Sequence, residues 1–140
     1  MIKGALKPLP GVHEFMETCR KRGKKTAVAS SADRVKVEGN LAEIGLDHDC
    51  FDVILTAEDV VHKKPAPDIF LLAAERLGLD ARDCLVIEDA VSGVAAAKAA
   101  GARCLALTSS FTKDQLRDAD YWAADLADAP ADVLDWTLSR

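Results

Sequence analysis

The chain has 140 residues, of which 49% are hydrophobic and 29% are charged. This length and composition predict one folded domain over residues 1–140 and exclude a disordered polypeptide. The net charge of −5 argues against a nucleic-acid partner, because nucleic-acid affinity depends on basic charge. No apolar run approaches the roughly 18 residues of a membrane span or forms a secretory signal, so we expect a cytoplasmic protein with no membrane partner.

Short apolar runs alternate with helical patterns along the chain. A proline-rich lead-in over residues 1–11 precedes a helix that begins at Val12 and ends near Gly23. The predicted strands are Thr26–Ala29, Phe51–Leu55, Cys84–Ile87 and Arg103–Leu107. The helices between them run from about Asp33 to Ile44, from the segment after Pro67 to Leu77, and from Val91 to Ala100. Each of these ends at a glycine, which commonly terminates a helix.

The carboxyl-terminal part has weaker patterns. We predict a helix over Asp114–Arg117, a strand near Tyr121 and Trp122, and a last helix over Asp132–Leu138. Strands that are continuous apolar runs are typical of parallel sheets covered by helices on both faces. The fold class is therefore predicted as α/β, a three-layer Rossmann-like core with a mostly parallel sheet and right-handed crossovers.

The four cysteines are Cys19, Cys50, Cys84 and Cys104. Their long separations contain no CxxC pair, which argues against a zinc site. Cys84 and Cys104 each lie beside an apolar run, and we predict that both are buried thiols.

Polar residues follow three of the predicted strands. Ser30 and Ser31 come after the first, Lys64 follows the second across a loop, and Glu88 and Asp89 follow the third. Ligands of open parallel sheets bind beyond the carboxyl ends of the strands. A hydroxyl, helix-start N–H groups and an ammonium suit phosphate, and carboxylates suit Mg²⁺. Taken singly, Ser30 is as typical of a helix cap as of a ligand site, Lys64 is more typical of a surface lysine, and the Glu88–Asp89 pair is more typical of a turn or cap.

Four stretches of the sequence resemble a known family. They are Pro8–Val12, Thr26–Ser31, Lys64–Phe70 and Val86–Val94, and in this order they resemble the haloacid dehalogenase-like phosphohydrolases, in particular the β-phosphoglucomutase and phosphoglycolate phosphatase branch. The resemblance implies that Ser30 and the Ser31 backbone bind the transferring phosphoryl group and that Lys64 is a catalytic lysine offsetting its charge. It also implies that Asp89 binds Mg²⁺, with Glu88 as a second acidic group. The family's nucleophile is an aspartate.

The family's nucleophile lies in a DxD motif after an amino-terminal strand, and this sequence opens at the lead-in that normally links the cap to the core. The pairs Asp47–Asp49 and Asp118–Asp120 have the DxD spacing, but neither follows an apolar strand, so we exclude both. We expect His13, His48 and His62 to be structural or solvated.

The family's nucleophile strand lies at the centre of its sheet. We expect residues 2–6 to be too short, and too interrupted by Gly4, to replace it. We therefore expect an open position in the sheet. The flanking strands would pair directly, a second copy would fill the gap, or the chain would be one piece of a longer protein. Unpaired strand edges would favour a homo-oligomer.

The leading functional prediction is a Mg²⁺-dependent phosphohydrolase or phosphomutase core that acts on a small phosphorylated metabolite. Little turnover is expected in the absence of the nucleophile segment. The alternative is a non-catalytic binding or self-assembling module on the same scaffold, because fold alone does not fix function. A phosphate-linked receiver domain fits the order of Ser30, Lys64 and Asp89 less well.

Overall fold

A computed structural model describes residues 2–4, 10–46, 48–130 and 132–133. Within them, six parallel strands form one sheet: β1 (Ile2–Lys3), β2 (Ala27–Ala29), β3 (Val53–Leu55), β4 (Leu85–Glu88), β5 (Arg103–Leu107) and β6 (Tyr121–Ala123). Their spatial order is β3-β2-β1-β4-β5-β6. The predicted α/β class is confirmed, and every described strand pair is parallel.

Helices cover both faces of this sheet: α1 (Val12–Lys21), α2 (Arg34–Glu43), α3 (Asp68–Leu77) and α4 (Val91–Ala100). On one face, α3 and α4 bury Phe70 and Val94 against the strands. On the other face, α1 and α2 bury Phe15 and Leu41. The core is therefore two apolar layers separated by the sheet, which is why the strands have apolar residues on both sides.

Local signals set the helix ends. The Asp33 carboxylate accepts a hydrogen bond from the Lys36 backbone N–H at 2.9 Å and caps the start of α2. Gly78 and Gly101 end α3 and α4 with φ of 74° and 85°, a conformation that glycine adopts without steric cost. Because these signals are local, the sequence predicts α4 with its observed bounds.

The expected open position in the sheet was wrong, because β1 fills it. Ile2 pairs with Ala27 of β2 and Val86 of β4, and the Gly4 N–H donates to the Ile87 carbonyl at 2.9 Å. Two residues suffice here because a central strand is bonded to neighbours on both sides. The described sheet therefore ends only at β3 and β6, and the unpaired inner edges that favoured a homo-oligomer are absent from it.

The carboxyl-terminal predictions had mixed outcomes. The strand near Tyr121 is β6, as predicted. The helix over Asp114–Arg117 was wrong, since these residues form turns. A single turn fixes several dihedral angles for few hydrogen bonds, so it does not propagate without packing. Most of the helix predicted over Asp132–Leu138 lies outside the described residues. None of the described helices is long and apolar enough to cross a membrane.

Candidate functional site

The polar residues predicted from the strand ends lie together at the carboxyl edge of the sheet. Ser30 directly follows β2, Glu88 is the last residue of β4, and Asp89 comes next. Lys64 reaches this edge from the loop between β3 and α3. Ser30, Glu88 and Asp89 are buried, and the Lys64 side chain is only 7% exposed. The four predicted residues therefore lie at one edge of the sheet, and their roles in binding stay a prediction.

Lys64 joins the two halves of this cluster. Its Nζ donates to Glu88 Oε2 at 2.5 Å and to the Ala29 carbonyl at 3.1 Å. The same ammonium lies 4.9 Å from the centre of the Phe70 ring. A lysine ammonium has three N–H donors, and two of them have these partners among the described residues. The charge is thus fixed at the end of β2, one residue before Ser30.

Ser30 and Ser31 form the other side of the cluster. The Ser30 N–H donates to the Leu55 carbonyl at 3.0 Å, and Ser30 Oγ accepts from the Ala32 N–H at 3.1 Å. This second bond stabilises the turn before α2, as expected of a helix-start serine. The hydroxyl hydrogen can still be donated elsewhere. Ser30, Ser31 and Lys64 line one small cavity of about 160 Å³.

Two glycines leave the space that the Glu88 carboxylate occupies. A Cβ atom at Gly4 would lie 2.0 Å from Glu88 Oε2, and a Cβ at Gly93 would lie 2.0 Å from Glu88 Cδ. Burial raises the pKa of Glu88 above its ordinary value, and the Lys64 ammonium opposes that increase. The buried carboxylate therefore depends on Lys64 for its charge compensation.

Sequence reasoning missed a second buried cation, Lys3. It is 1% exposed in β1, where it pairs with Val28 and Ile87. Burial lowers the pKa of Lys3 to about 8, while the carboxylates of Asp89 and Glu88 act in the opposite direction. Recognising Ile2–Lys3 as a strand would have placed this ammonium beside the acidic pair. Two residues carry no detectable periodicity, so the sequence offered no such signal.

These residues do not fit a magnesium site as they are arranged. Mg²⁺ requires hard oxygen ligands in near-octahedral geometry and a site whose charge favours a dication. Here the Glu88 carboxylate pairs with Lys64, and the Lys3 ammonium lies near Asp89. Across the described part of the chain, no group of three or more His, Cys, Asp or Glu side chains could hold a metal ion.

Among the described residues, Asp120 of the second DxD pair, His13 and His62 have contacts or exposure that do not connect them with this cluster. Asp120 Oδ2 accepts hydrogen bonds from the Cys104 N–H and Lys98 Nζ, both at 2.8 Å, at the amino ends of β5 and β6. This is the edge opposite Ser30. His13 Nε2 lies 2.8 Å from the Ile44 carbonyl, a structural contact, and His62 is exposed. Asp47 and the His48 side chain lie outside the described residues.

Comparisons with known proteins agree with this architecture. A family model described as a haloacid dehalogenase-like hydrolase matches residues 1–101. Protein SUPPRESSOR OF QUENCHING 1, chloroplastic, from Arabidopsis thaliana is 49% identical over 110 residues, which cover 79% of this chain and 10% of that protein. Fructose-1-phosphate phosphatase YqaB from Escherichia coli is 41% identical over 101 residues, which cover 72% of this chain and 52% of that protein.

A solved structure extends the similarity to the fold. The crystal structure of CbbY from Rhodobacter sphaeroides in complex with phosphate superposes with a TM-score of 0.81 at 30% sequence identity. The superposition covers 91% of this chain and 59% of the CbbY chain. This chain thus spans about half the length of YqaB and little more than half that of CbbY.

Proposed function

Because the chain belongs to the haloacid dehalogenase-like hydrolase family, we propose that it carries the phosphate-binding part of a phosphatase acting on a small phosphorylated sugar. One observation supports this proposal above the others: Ser30, Ser31 and Lys64 line a single cavity at the carboxyl edge of the sheet. The relatives also support it, since YqaB is named a fructose-1-phosphate phosphatase and the CbbY structure contains phosphate.

The proposed role of each group in phosphate binding follows from its chemistry. The Ser30 hydroxyl and the backbone N–H groups before α2 donate to phosphate oxygens. Lys64 supplies the positive charge and has one N–H donor beyond its two described partners. Family members typically use Mg²⁺, which when bound neutralises charge on the phosphoryl group.

We further propose that the 140-residue chain binds phosphate but hydrolyses phosphate esters poorly. The resemblance assigns the covalent step to an aspartate nucleophile in a DxD motif, and neither DxD pair of this sequence follows an apolar strand. We expect little hydrolysis of p-nitrophenyl phosphate by the purified chain. Robust hydrolysis that is lost in Lys64→Met would contradict this part of the proposal.

Binding of phosphate tests the central part of the proposal. Titration calorimetry with inorganic phosphate and with fructose 1-phosphate is expected to show saturable binding. Ser30→Ala removes a hydrogen bond to a charged ligand and should weaken that binding by about tenfold or more. Ser109→Ala is the matched control, because Ser109 is exposed and lies after β5. Absence of saturable binding, or equal effects of the two variants, would reject the assignment.

A non-catalytic binding module is the second candidate function. It is favoured by the ion pair between Lys64 Nζ and Glu88 Oε2, which lie 2.5 Å apart, because the charge of Lys64 is then compensated without a bound phosphate. If neither inorganic phosphate nor fructose 1-phosphate binds the folded chain, this second reading replaces the first.

A further inference from the structure

The acidic residues at the end of β4 are balanced by cations on the two sides of the sheet. Lys3 pairs in register with Val28 and Ile87, which belong to the core layer under α1 and α2. Glu88 contacts Lys64 and lies against Gly93 of α4, on the opposite side. Asp89, the residue after β4, is the carboxylate that acts most strongly on the charge of the Lys3 ammonium.

Counting charges gives a neutral cluster. Glu88 and Asp89 contribute two negative charges, and Lys3 and Lys64 contribute two positive charges. Lys3, Glu88 and Asp89 are at most 9% exposed. Buried carboxylates are tolerated when they are paired, and here the pairing comes from the chain itself.

A dication entering this cluster would meet two ammonium groups. Repulsion between charges a few ångströms apart is strong where water is excluded. Among the described residues, the two carboxylates of the cluster are already compensated by ammonium groups, so the cluster lacks the net negative charge that would favour a dication.

We propose that the Lys3 ammonium takes the place of a divalent cation beside Asp89, so that this chain folds with its acidic pair neutralised and binds Mg²⁺ only weakly. Lys3 is part of the chain itself, and its backbone pairing with β2 and β4 holds it in the centre of the sheet. The inference concerns the charge balance of the folded chain and does not require the proposed phosphate site.

Mg²⁺ titration of the whole chain without phosphate tests the proposal. For the wild type, we expect no saturable binding in calorimetry below about 10 mM Mg²⁺ and melting temperatures within about 1 °C in MgCl₂ and in EDTA. Lys3→Met keeps the length of the side chain and removes its charge. In this variant Mg²⁺ should bind about tenfold more tightly or better, and should raise the melting temperature by several degrees.

Lys36→Met is the matched control, because Lys36 is exposed on α2 and its loss should leave the Mg²⁺ response unchanged. Submillimolar Mg²⁺ binding by the wild type overturns the proposal whatever the variants do. A folded Lys3→Met with unchanged Mg²⁺ affinity overturns it as well. If Lys3→Met does not fold in either buffer, Lys3→Gln is judged by the same criterion. None of these titrations contains phosphate, so their outcome leaves the proposed function unaffected.

Discussion

The Lys64–Glu88 pair shows how single residues link the candidate site to the stability of the fold. Both side chains are almost fully buried, at 7% and 3% exposure. A buried pair contributes little net stability compared with apolar residues, because desolvation offsets the attraction. Removing one member is different, since it leaves an uncompensated charge in the interior.

We predict that Lys64→Met lowers the free energy of unfolding by about 3–5 kcal/mol. The double variant Lys64→Met/Glu88→Gln should recover about half of that loss or more, because the remaining charge is also removed. Urea denaturation measures both values, with Lys36→Met as a control expected to change stability by less than about 0.5 kcal/mol. A loss below about 1 kcal/mol for Lys64→Met would show that the pair is hydrated in solution.

The same residues show what a sequence can and cannot predict about a site. Ser30, Lys64, Glu88 and Asp89 could be located because each follows a recognisable apolar strand. Their roles in binding and catalysis stay predictions. Lys3 could not be located, because its burial results from pairing with β2 and β4, which are distant in sequence. Nor could the sequence reveal that Lys64 is held by Glu88.

At the scale of elements, two glycines determine how closely β1 and α4 approach β4. Any side chain at Gly4 or Gly93 would overlap the Glu88 carboxylate. That carboxylate is bound to Lys64 and has little freedom to move. Gly39 offers a contrast, because it also lies within a helix, but a Cβ there would meet nothing within 4 Å.

We predict opposite effects of the same substitution in these two helices. Gly93→Ala should lower the free energy of unfolding by about 1–3 kcal/mol through overpacking against Glu88. Gly39→Ala should raise it by about 0.5–1 kcal/mol, since alanine is the better helix former. Thermal and urea unfolding of the two variants check the signs. Stabilisation by Gly93→Ala would mean that Glu88 has another position available.

Elements with local signals could be predicted closely, and elements that depend on distant contacts could not. β5 and α4 have the predicted bounds, because glycine and apolar runs delimit them in the sequence. The stretch over residues 2–6 was rejected as a strand because it is short and interrupted by Gly4, yet the missing side chain of Gly4 is what allows the chain after β1 to lie beside Glu88. The turns over Asp114–Arg117 have helix-compatible residues but were not stabilised as a helix.

At the scale of the whole molecule, the cysteines fall into two classes, those buried in the core layers and one that is exposed. Cys19, Cys84 and Cys104 are buried, which confirms the prediction for Cys84 and Cys104, and Cys50 is exposed. Burial raises the pKa of all three buried thiols, and raises that of Cys104 to about 12. A raised pKa keeps a thiol protonated at pH 8, and the protonated form is a poor nucleophile.

We predict that Ellman's reagent at pH 8 titrates one thiol rapidly in the native chain and all four in urea. Cys50→Ser should abolish the rapid phase and leave the slow thiols unchanged. Raising the pH to 9 should not make Cys104 reactive, because its pKa lies far above that value. Rapid reaction of two or more thiols in the native state would indicate that one core layer opens readily.

The central position of β1 also constrains how the chain folds. Ile2 is the first described residue, yet its partners are Ala27 and Val86, so the middle of the sheet brings together distant parts of the chain. Contacts between distant residues must overcome loop-closure entropy before they contribute stability, and such topologies fold slowly. During synthesis β1 therefore lacks its second partner until β4 has left the ribosome. Purified chains that end before Val86 should remain sensitive to proteases even though they contain β2, β3 and α3.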